Sequence, residues 1–251
     1  MKKVLLIFTL IITALYMGSL QNLSARRWRI KTKDGKYMRL IRGGRFLMGS
    51  RYGKCEEKPR HRVRVKSFYM DETEVTFSQF RKFVKATGYT AIGSWKSAFK
   101  RGYKNHPVVN VTYVDAEAYA KWAGKRLPTE QEWEYAAGGP RRYVYDYGNR
   151  WNRRAAALWD SRRKTSVRVK RYRPNGYGLY DMTGNVMEWT KSKFLPYPGK
   201  RKKCPNMDGS FLVVKGGCYL FFADRSRRQA RHAVKPHISF SAIGFRCAKD
   251  L

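Results

Sequence analysis

PNGYGLYDMTGNVMEWT, residues 174–190, is the stretch whose reading decides the fold. Asn175-Gly176 accepts positive φ and marks a tight turn, and Gly178 follows at once. An apolar and aromatic run then carries Asp181 and Glu188, with Gly184-Asn185 between them. That composition suits a buried, irregular ribbon on which backbone carbonyls and a few carboxylates converge. Oxygen donors of this kind hold hard cations such as Ca²⁺. The plainer reading is a rigid core loop with no ion, because the spacing matches no regular calcium-loop pattern.

Upstream, the same capping device recurs: Thr76 with Gln79, Thr112 with Asp115, and Thr129 with Glu132. The first and third are capping boxes, in which the hydroxyl takes one orphan backbone N–H and the acid or amide reaches back. The middle one is a shorter-armed variant. They predict helices over 77–87, 113–123 and 130–137. The first stacks Phe77, Phe80, Phe83 and Val84 and stops at Gly88. The second places Val114, Ala118 and Trp122 on one face and stops at Gly124. The third buries Trp133 with Ala136 or Ala137 and ends at Gly138-Gly139.

Residues 37–48 alternate loosely around Gly43-Gly44 and read as a hairpin. HRVRVKSFYM, residues 61–70, alternates cleanly and reads as one half-buried strand, with Val63, Val65 and Phe68 inward and Arg62, Arg64 and Lys66 outward. Apolar strands are also expected over 211–220 and 239–248. Between 141 and 173 the chain is turn-rich and dense in arginine. Arg141-Arg142, Arg153-Arg154 and Arg162-Arg163-Lys164 alternate there with Tyr143, Tyr145, Tyr147, Trp151 and Trp159, which reads as a surface excursion. Lys200-Arg201-Lys202-Lys203 is a second basic loop. Short strands, few helices and long irregular loops give the class α+β, with small sheets.

The 251 residues suit one large domain or two small ones, and an aromatic content of 15% makes a substantial core feasible. The formal net charge of +36 draws such a chain to anionic surfaces: nucleic acid, anionic lipid or acidic polysaccharide. The competing reading is a compositional habit of the source. Residues 1–25 read as an export signal: Lys2 and Lys3, an apolar run over 4–17, and small residues before a cut after Ala25. The run is short for a membrane span of ~20 residues, and an uncleaved anchor is the alternative. The segment removes two lysines and no acid, so the basicity belongs to the single domain expected over 26–251. Cys55, Cys204, Cys218 and Cys247 allow two disulfides in three connectivities, which an exported chain permits. With no CxxC pair, a zinc knuckle is not expected.

The central stretch, together with GGRFLMGS (43–50), DETEVTFSQFRKFV (71–84), HPVVNVTYVDAEAYAKWAGKRLPTEQEWEYAA (106–137) and GFRCA (244–248), resembles the formylglycine-generating enzyme, or sulfatase-modifying factor, family. The resemblance implies a C-type-lectin-like variant of the α+β class. In aerobic members a GGSYxC segment leads to two redox-active cysteines, five residues apart, which bind copper and oxidise a substrate cysteine. The matching strand here is Gly216-Gly217-Cys218-Tyr219-Leu220-Phe221. Phe221 and Ser226 stand at the two cysteine positions, so neither supplies the soft sulfur that Cu(I) needs. Copper and formylglycine generation are therefore not expected.

The remaining catalytic candidate is Cys218. A lone thiol needs a nearby cation or base, and Arg225, Arg227, Arg228, Arg231, His232 and His237 follow it. The plain alternative is a buried core thiol or half of a disulfide. Relatives bind Ca²⁺ through the central ribbon, which implies a structural calcium on Asp181 and Glu188 by side chain and Gly184 and Val186 by carbonyl. A second family calcium site begins with an Asn-Ile pair. Ala157-Leu158 replaces that pair, so the second site is expected to be lost. The family cysteine that bridges to GFRCA is Ala120 here, which leaves Cys247 without that partner.

Two functional readings follow. In the first, the chain is an exported, non-formylglycine-generating member that binds an anionic envelope or extracellular partner, such as acidic polysaccharide or lipopolysaccharide. Its anion-binding residues would be Arg141, Arg142, Arg153, Arg154, Arg162, Arg163, Lys164, Lys200, Arg201, Lys202 and Lys203, with nucleic acid captured only nonspecifically. In the second, it is a periplasmic oxidoreductase of the same superfamily. Proteins of siderophore maturation are of this kind and also lack the cysteine pair. A dedicated nucleic-acid binder is disfavoured by the export signal.

Overall fold

A computed structural model describes residues 28–162, 164–200 and 204–251. The export segment expected at 1–25 lies outside these residues, as do Arg163, Arg201, Lys202 and Lys203. No helix among the described residues is long and apolar enough to cross a membrane.

Strands β1 (Arg29–Lys31) and β2 (Tyr37–Ile41) pair antiparallel. β2 does not turn back on β3 (Gly44–Met48), as a hairpin would. It pairs with β5 (Phe68–Asp71), while β3 pairs with β4 (His61–Val65) in a sheet of two. The expected hairpin is therefore a corner between sheets, and the expected strand over 61–70 breaks at Lys66-Ser67. The two breaks meet. Gly43 donates its N–H to Ser67 Oγ at 2.9 Å, and a Cβ at Gly43 would collide with Val65 O. The alternation itself is as read: Val65 and Phe68 are buried, Val63 is half-buried, and Arg62, Arg64 and Lys66 are exposed.

β10 (Ala248–Asp250) completes the first sheet in the order β1-β2-β5-β10. A second four-stranded sheet runs β8-β7-β6-β9, from His232–Val234, Leu212–Lys215, Met187–Lys193 and Ile243–Gly244. The strand expected over 239–248 is thus two short pieces in different sheets.

Four helices stand among the described residues: α1 (Phe77–Thr87), α2 (Trp95–Ala98), α3 (Tyr113–Trp122) and α4 (Glu130–Ala137). All three threonine caps form reciprocal boxes, including the one with Asp115. Each is worth about 1 kcal/mol. α1 stops at Gly88, φ 67°, the left-handed cap that glycine adopts without strain. The face expected for α3 is rotated: Ala118 and Trp122 pack half-buried against the core, but the buried centre lies elsewhere. Val114 is 44% exposed, while Ala116, Tyr119 and Ala120 are buried. The cause is Asp115. Its carboxylate takes the N–H groups of Ile92 and Gly93 and the hydroxyl of Tyr89 from a neighbouring segment, so position 115 faces inward and 114, about 100° away, faces out.

Phe80, Tyr119, Trp189 and Phe245 lie in one core cluster, with Tyr119 and Phe245 ring centres 5.4 Å apart. Met48, Phe68, Trp133 and Met182 lie in another. The central ribbon threads from the second cluster, at Leu179 and Met182, into the first, at Val186, Met187 and Trp189.

The charge is sorted by depth. Among the described residues, eleven of the 18 acids are buried, against only six lysines and arginines. Buried charges need partners. Lys125 reaches Asp34 and Asp71 at 2.8 Å each, Lys215 and Arg228 reach Glu134, and Arg231 reaches Glu130 at 2.7 Å. The surface is accordingly more basic than the composition suggests.

Candidate functional site

The ribbon carries three left-handed residues within five: Asp181 (φ 56°), Gly184 (φ 79°) and Asn185 (φ 58°). Asn and Asp are the non-glycine residues that tolerate this region. At Gly184 a Cβ would collide with Ala157 O. The turn expected at Asn175-Gly176 works differently from the reading. Asn175 Oδ1 accepts the N–H groups of Tyr177 and Leu179, and the left-handed residue is Gly178.

This geometry aims polar groups at the arginine-dense segment. Asp181 Oδ2 accepts the Lys170 N–H at 2.8 Å, and Asn185 Oδ1 accepts the Val167 N–H at 2.9 Å. The Asn185 N–H donates to Ala157 O at 2.9 Å, and Asn185 Nδ2 donates to Glu74 at 2.8 Å. The segment expected to be pure surface therefore has buried feet: Ala156, Ala157, Leu158 and Ser166 are inside.

Glu188, expected as a calcium ligand, is the counter-ion of Arg246. Its oxygens accept from Arg246 Nε and Nη2 at 2.8–2.9 Å and from Trp133 Nε1 at 2.7 Å. Arg246 is fully buried. Burial alone would lower its pKa, but Glu188 raises it, so the guanidinium stays charged. Its remaining donors reach the carbonyls of Asp71, Glu72 and Tyr180. Among the described residues, the buried carboxylate oxygens left without a hydrogen bond belong to other acids: Glu74 Oε2, Asp146 Oδ1 and Asp181 Oδ1. Burial raises the pKa of all three acids, to about 7 at Asp146 and about 6 at Asp181. Tested as a calcium cradle, the expected set fits at Asp181, whose Oδ1 is free, and not at Glu188. Among the described residues no group of three or more His, Cys, Asp and Glu is arranged to hold a metal ion.

Cys218 and Cys247 are free and fully buried, while Cys55 and Cys204 form a disulfide. Burial pushes the Cys218 thiol up to about 11, away from the thiolate that attack requires. The charge of Arg225 pulls the other way, but burial outweighs it. Arg228 and Arg231 are held by Glu134 and Glu130, and Arg227 by Glu57. Ser226 is buried with its side chain against Gly217, where a Cβ would overlap Ser226 Oγ. Phe221 packs on His232 at 5.1 Å, under the guanidinium of Arg225 at 4.3 Å. Packed side chains thus fill both positions that match the family's cysteine pair.

The basic residues divide. Arg142 lies 3.6 Å over the Tyr135 ring and donates to the carbonyls of Tyr135 and Gly139, so it fastens the end of α4. Lys200 donates to Cys55 O and Lys58 O. Arg141 bonds only the Tyr143 hydroxyl at the surface. Arg153, Arg154, Arg162 and Lys164 are exposed, and among the described residues their charged groups have no ion pair or hydrogen bond. Arg168 and Arg171 stand with them and were overlooked, although the run RVKRYR, 168–173, carries the signal. Of the interleaved aromatics, Tyr145 and Tyr147 stack on each other at 5.4 Å. Trp159, 53% exposed, is free to meet a ligand.

The family model for the sulfatase-modifying factor enzyme 1-like domain matches residues 27–251. The chain is 36% identical over 279 residues to the formylglycine-generating enzyme of Streptomyces coelicolor, covering 83% of this chain and 87% of that one. It is 37% identical over 237 residues to the serine/threonine-protein kinase pkn1 of Chlamydia caviae, covering 85% of this chain and 38% of the kinase. Among solved structures, PvdO from Pseudomonas aeruginosa matches with a TM-score of 0.76 at 26% identity, over 89% of this chain and 98% of that one.

Proposed function

The chain belongs to the sulfatase-modifying factor enzyme 1-like family, and on that premise we propose that it is an exported member without formylglycine-generating chemistry that binds an anionic polymer of the cell envelope or its surroundings. The fold is the α+β, C-type-lectin-like one that the sequence implied. The observation that carries the proposal is the sorting of charge: acids are drawn inside as partners of buried cations, and a loop of unpaired arginines is left outside. Exposed like charges repel one another, and an external polyanion offsets that repulsion. The relative named for formylglycine generation supports the fold. Phe221 and Ser226, at the positions of the family's cysteine pair, argue against its reaction.

Binding of heparin or lipopolysaccharide should weaken steeply with salt, since each phosphate or sulfate contact releases counterions. Changing Arg162, Arg163 and Lys164 to Gln should lower affinity severalfold with the melting temperature nearly unaltered. Binding that resists half-molar salt, or a triple variant that binds as the parent does, would refute the proposal.

The second reading, an oxidoreductase of the same superfamily, has the likeness to PvdO as its support. A redox metal in the purified protein would favour it.

A further inference from the structure

Two clefts open on the arginine loop. The first, of about 510 Å³, is lined by Arg153, Arg154, Arg162, Arg171 and Tyr172 together with Asp160 and Ser161. The second, of about 500 Å³, shares Arg162 and Arg171 with it and adds Lys164 and Arg168. Either volume suits a ligand of one or two sugar rings.

The first cleft is not uniformly basic. Its lining holds four guanidinium groups and one carboxylate, and among the described residues Asp160 forms no ion pair with any of them. Guanidinium forks match phosphate oxygens. An ionised carboxylate only accepts, so it rejects an anion and takes hydroxyl donors. A bare anion would be better served without Asp160. A ligand carrying an anionic group and hydroxyls uses both. The next residue back, Trp159, is exposed and meets Phe222 edge-on at 6.5 Å, with Phe222 itself 55% exposed. Exposed rings of this kind offer an apolar face to a sugar.

The backbone under the cleft is fixed. Ser161 Oγ and Leu158 exchange two hydrogen bonds, and Arg162 closes that turn in the left-handed region, φ 58°, where a side chain is uncommon. The Trp159 N–H donates to Phe221 O at 3.0 Å, so the cleft is tied to the turn that carries Phe221.

We infer that the first cleft is a subsite for a phosphorylated sugar. The guanidinium groups of Arg153, Arg154, Arg162 and Arg171 take the phosphate, and Asp160 accepts from ring hydroxyls. The shared wall of Arg162 and Arg171 lets the next anionic unit of a polymer enter the second cleft. The inference rests on the anionic-polymer reading above and narrows it to a ligand class.

Calorimetry on the purified protein with glucose 1-phosphate, inorganic phosphate, glucuronate and glucose tests it. Glucose 1-phosphate should bind at least tenfold more tightly than inorganic phosphate, glucuronate more weakly than glucose 1-phosphate, and glucose not detectably. Arg171→Gln should weaken both phosphates about tenfold. Asp160→Ala should act with opposite signs, strengthening inorganic phosphate and weakening glucose 1-phosphate. Both variants change exposed or half-exposed side chains, and an unchanged melting temperature confirms that they fold. If heparin binds with steep salt dependence but the two phosphates bind alike, or Asp160→Ala moves them together, the sugar-phosphate subsite is wrong and the polymer reading stands. If neither heparin nor phosphate binds, both fall.

Discussion

Asp181 accepts the backbone N–H of Lys170 at 2.8 Å, and this bond fixes one end of the arginine loop to the central ribbon. Asn185 does the same for Val167, and its own N–H holds Ala157. The ribbon that the sequence marks as a calcium candidate also frames a loop.

Asn185→Ala should loosen that frame. It leaves the Val167 N–H and a Glu74 oxygen unpaired, each costing about 1–3 kcal/mol, in a backbone region that alanine resists. A destabilisation of roughly 2–4 kcal/mol is expected by denaturant melts, with weaker heparin binding although no arginine has changed. Asn185→Gly keeps the backbone region and loses the side chain. Parental binding by that variant would show that the anchor does not matter.

Glu72 gives the chain a predictable acid limb. Burial pushes its pKa up, but hydrogen bonds from Arg29 and Lys170 and the charge of Arg39 outweigh burial and bring it to about 2. A depressed carboxyl contributes stability above about pH 4.5 that is lost as pH falls toward 2. Its three partners are 34–43% exposed, so solvent screening reduces the benefit to about 1–2 kcal/mol. Glu72→Gln should melt lower than the parent at pH 7 and match it near pH 2. A difference that persists at pH 2 would contradict the ion-pair account.

The thiols should separate by depth. Reduction of the Cys55–Cys204 bond, which joins residues 149 apart in sequence, should cost roughly 2–4 kcal/mol. Alkylation of the reduced native protein should then label Cys55 first, since it is exposed, and leave Cys218 and Cys247 unmodified until the protein unfolds. Rapid native labelling of Cys218 would restore it as a nucleophile.

Calcium, if it acts on this fold, acts at Asp181, the acid of the expected set with a free oxygen. Calcium at about 100 times its dissociation constant should add ~2.7 kcal/mol and chelator should remove it. Identical melting in calcium and chelator would leave the ribbon balanced by Arg246 and by protons.

A peptide containing Cys-x-Pro-x-Arg should emerge unmodified from incubation with the protein and copper, as judged by mass spectrometry. Conversion of its cysteine to an aldehyde would overturn the argument from Phe221 and Ser226.

What the sequence disclosed was local. The caps at Thr76, Thr112 and Thr129 and the stop at Gly88 involve residues a few positions apart, and the first and third helices have the limits read from them. The misses came from distant partners. The rotation of α3 depends on Tyr89, Ile92 and Gly93, and the corner at Gly43 depends on Ser67. The partner of Glu188, Arg246, lies 58 residues away, where no local pattern points to it. Arg142 and Lys200 read as surface charge because the Tyr135 ring and the carbonyls at 55 and 58 that hold them leave no pattern in their own neighbourhood.

The ribbon grips the loop through Val167 N–H, Lys170 N–H and Ala157 O, all main-chain groups. Such a grip is blind to side-chain identity. Apart from Lys170, whose ammonium pairs with Glu72, the loop's exposed residues can therefore be rewritten, even with their charge inverted, while the attachment survives. Recognition and folding become separately mutable, and the scaffold can exchange one clientele for another without rebuilding its interior.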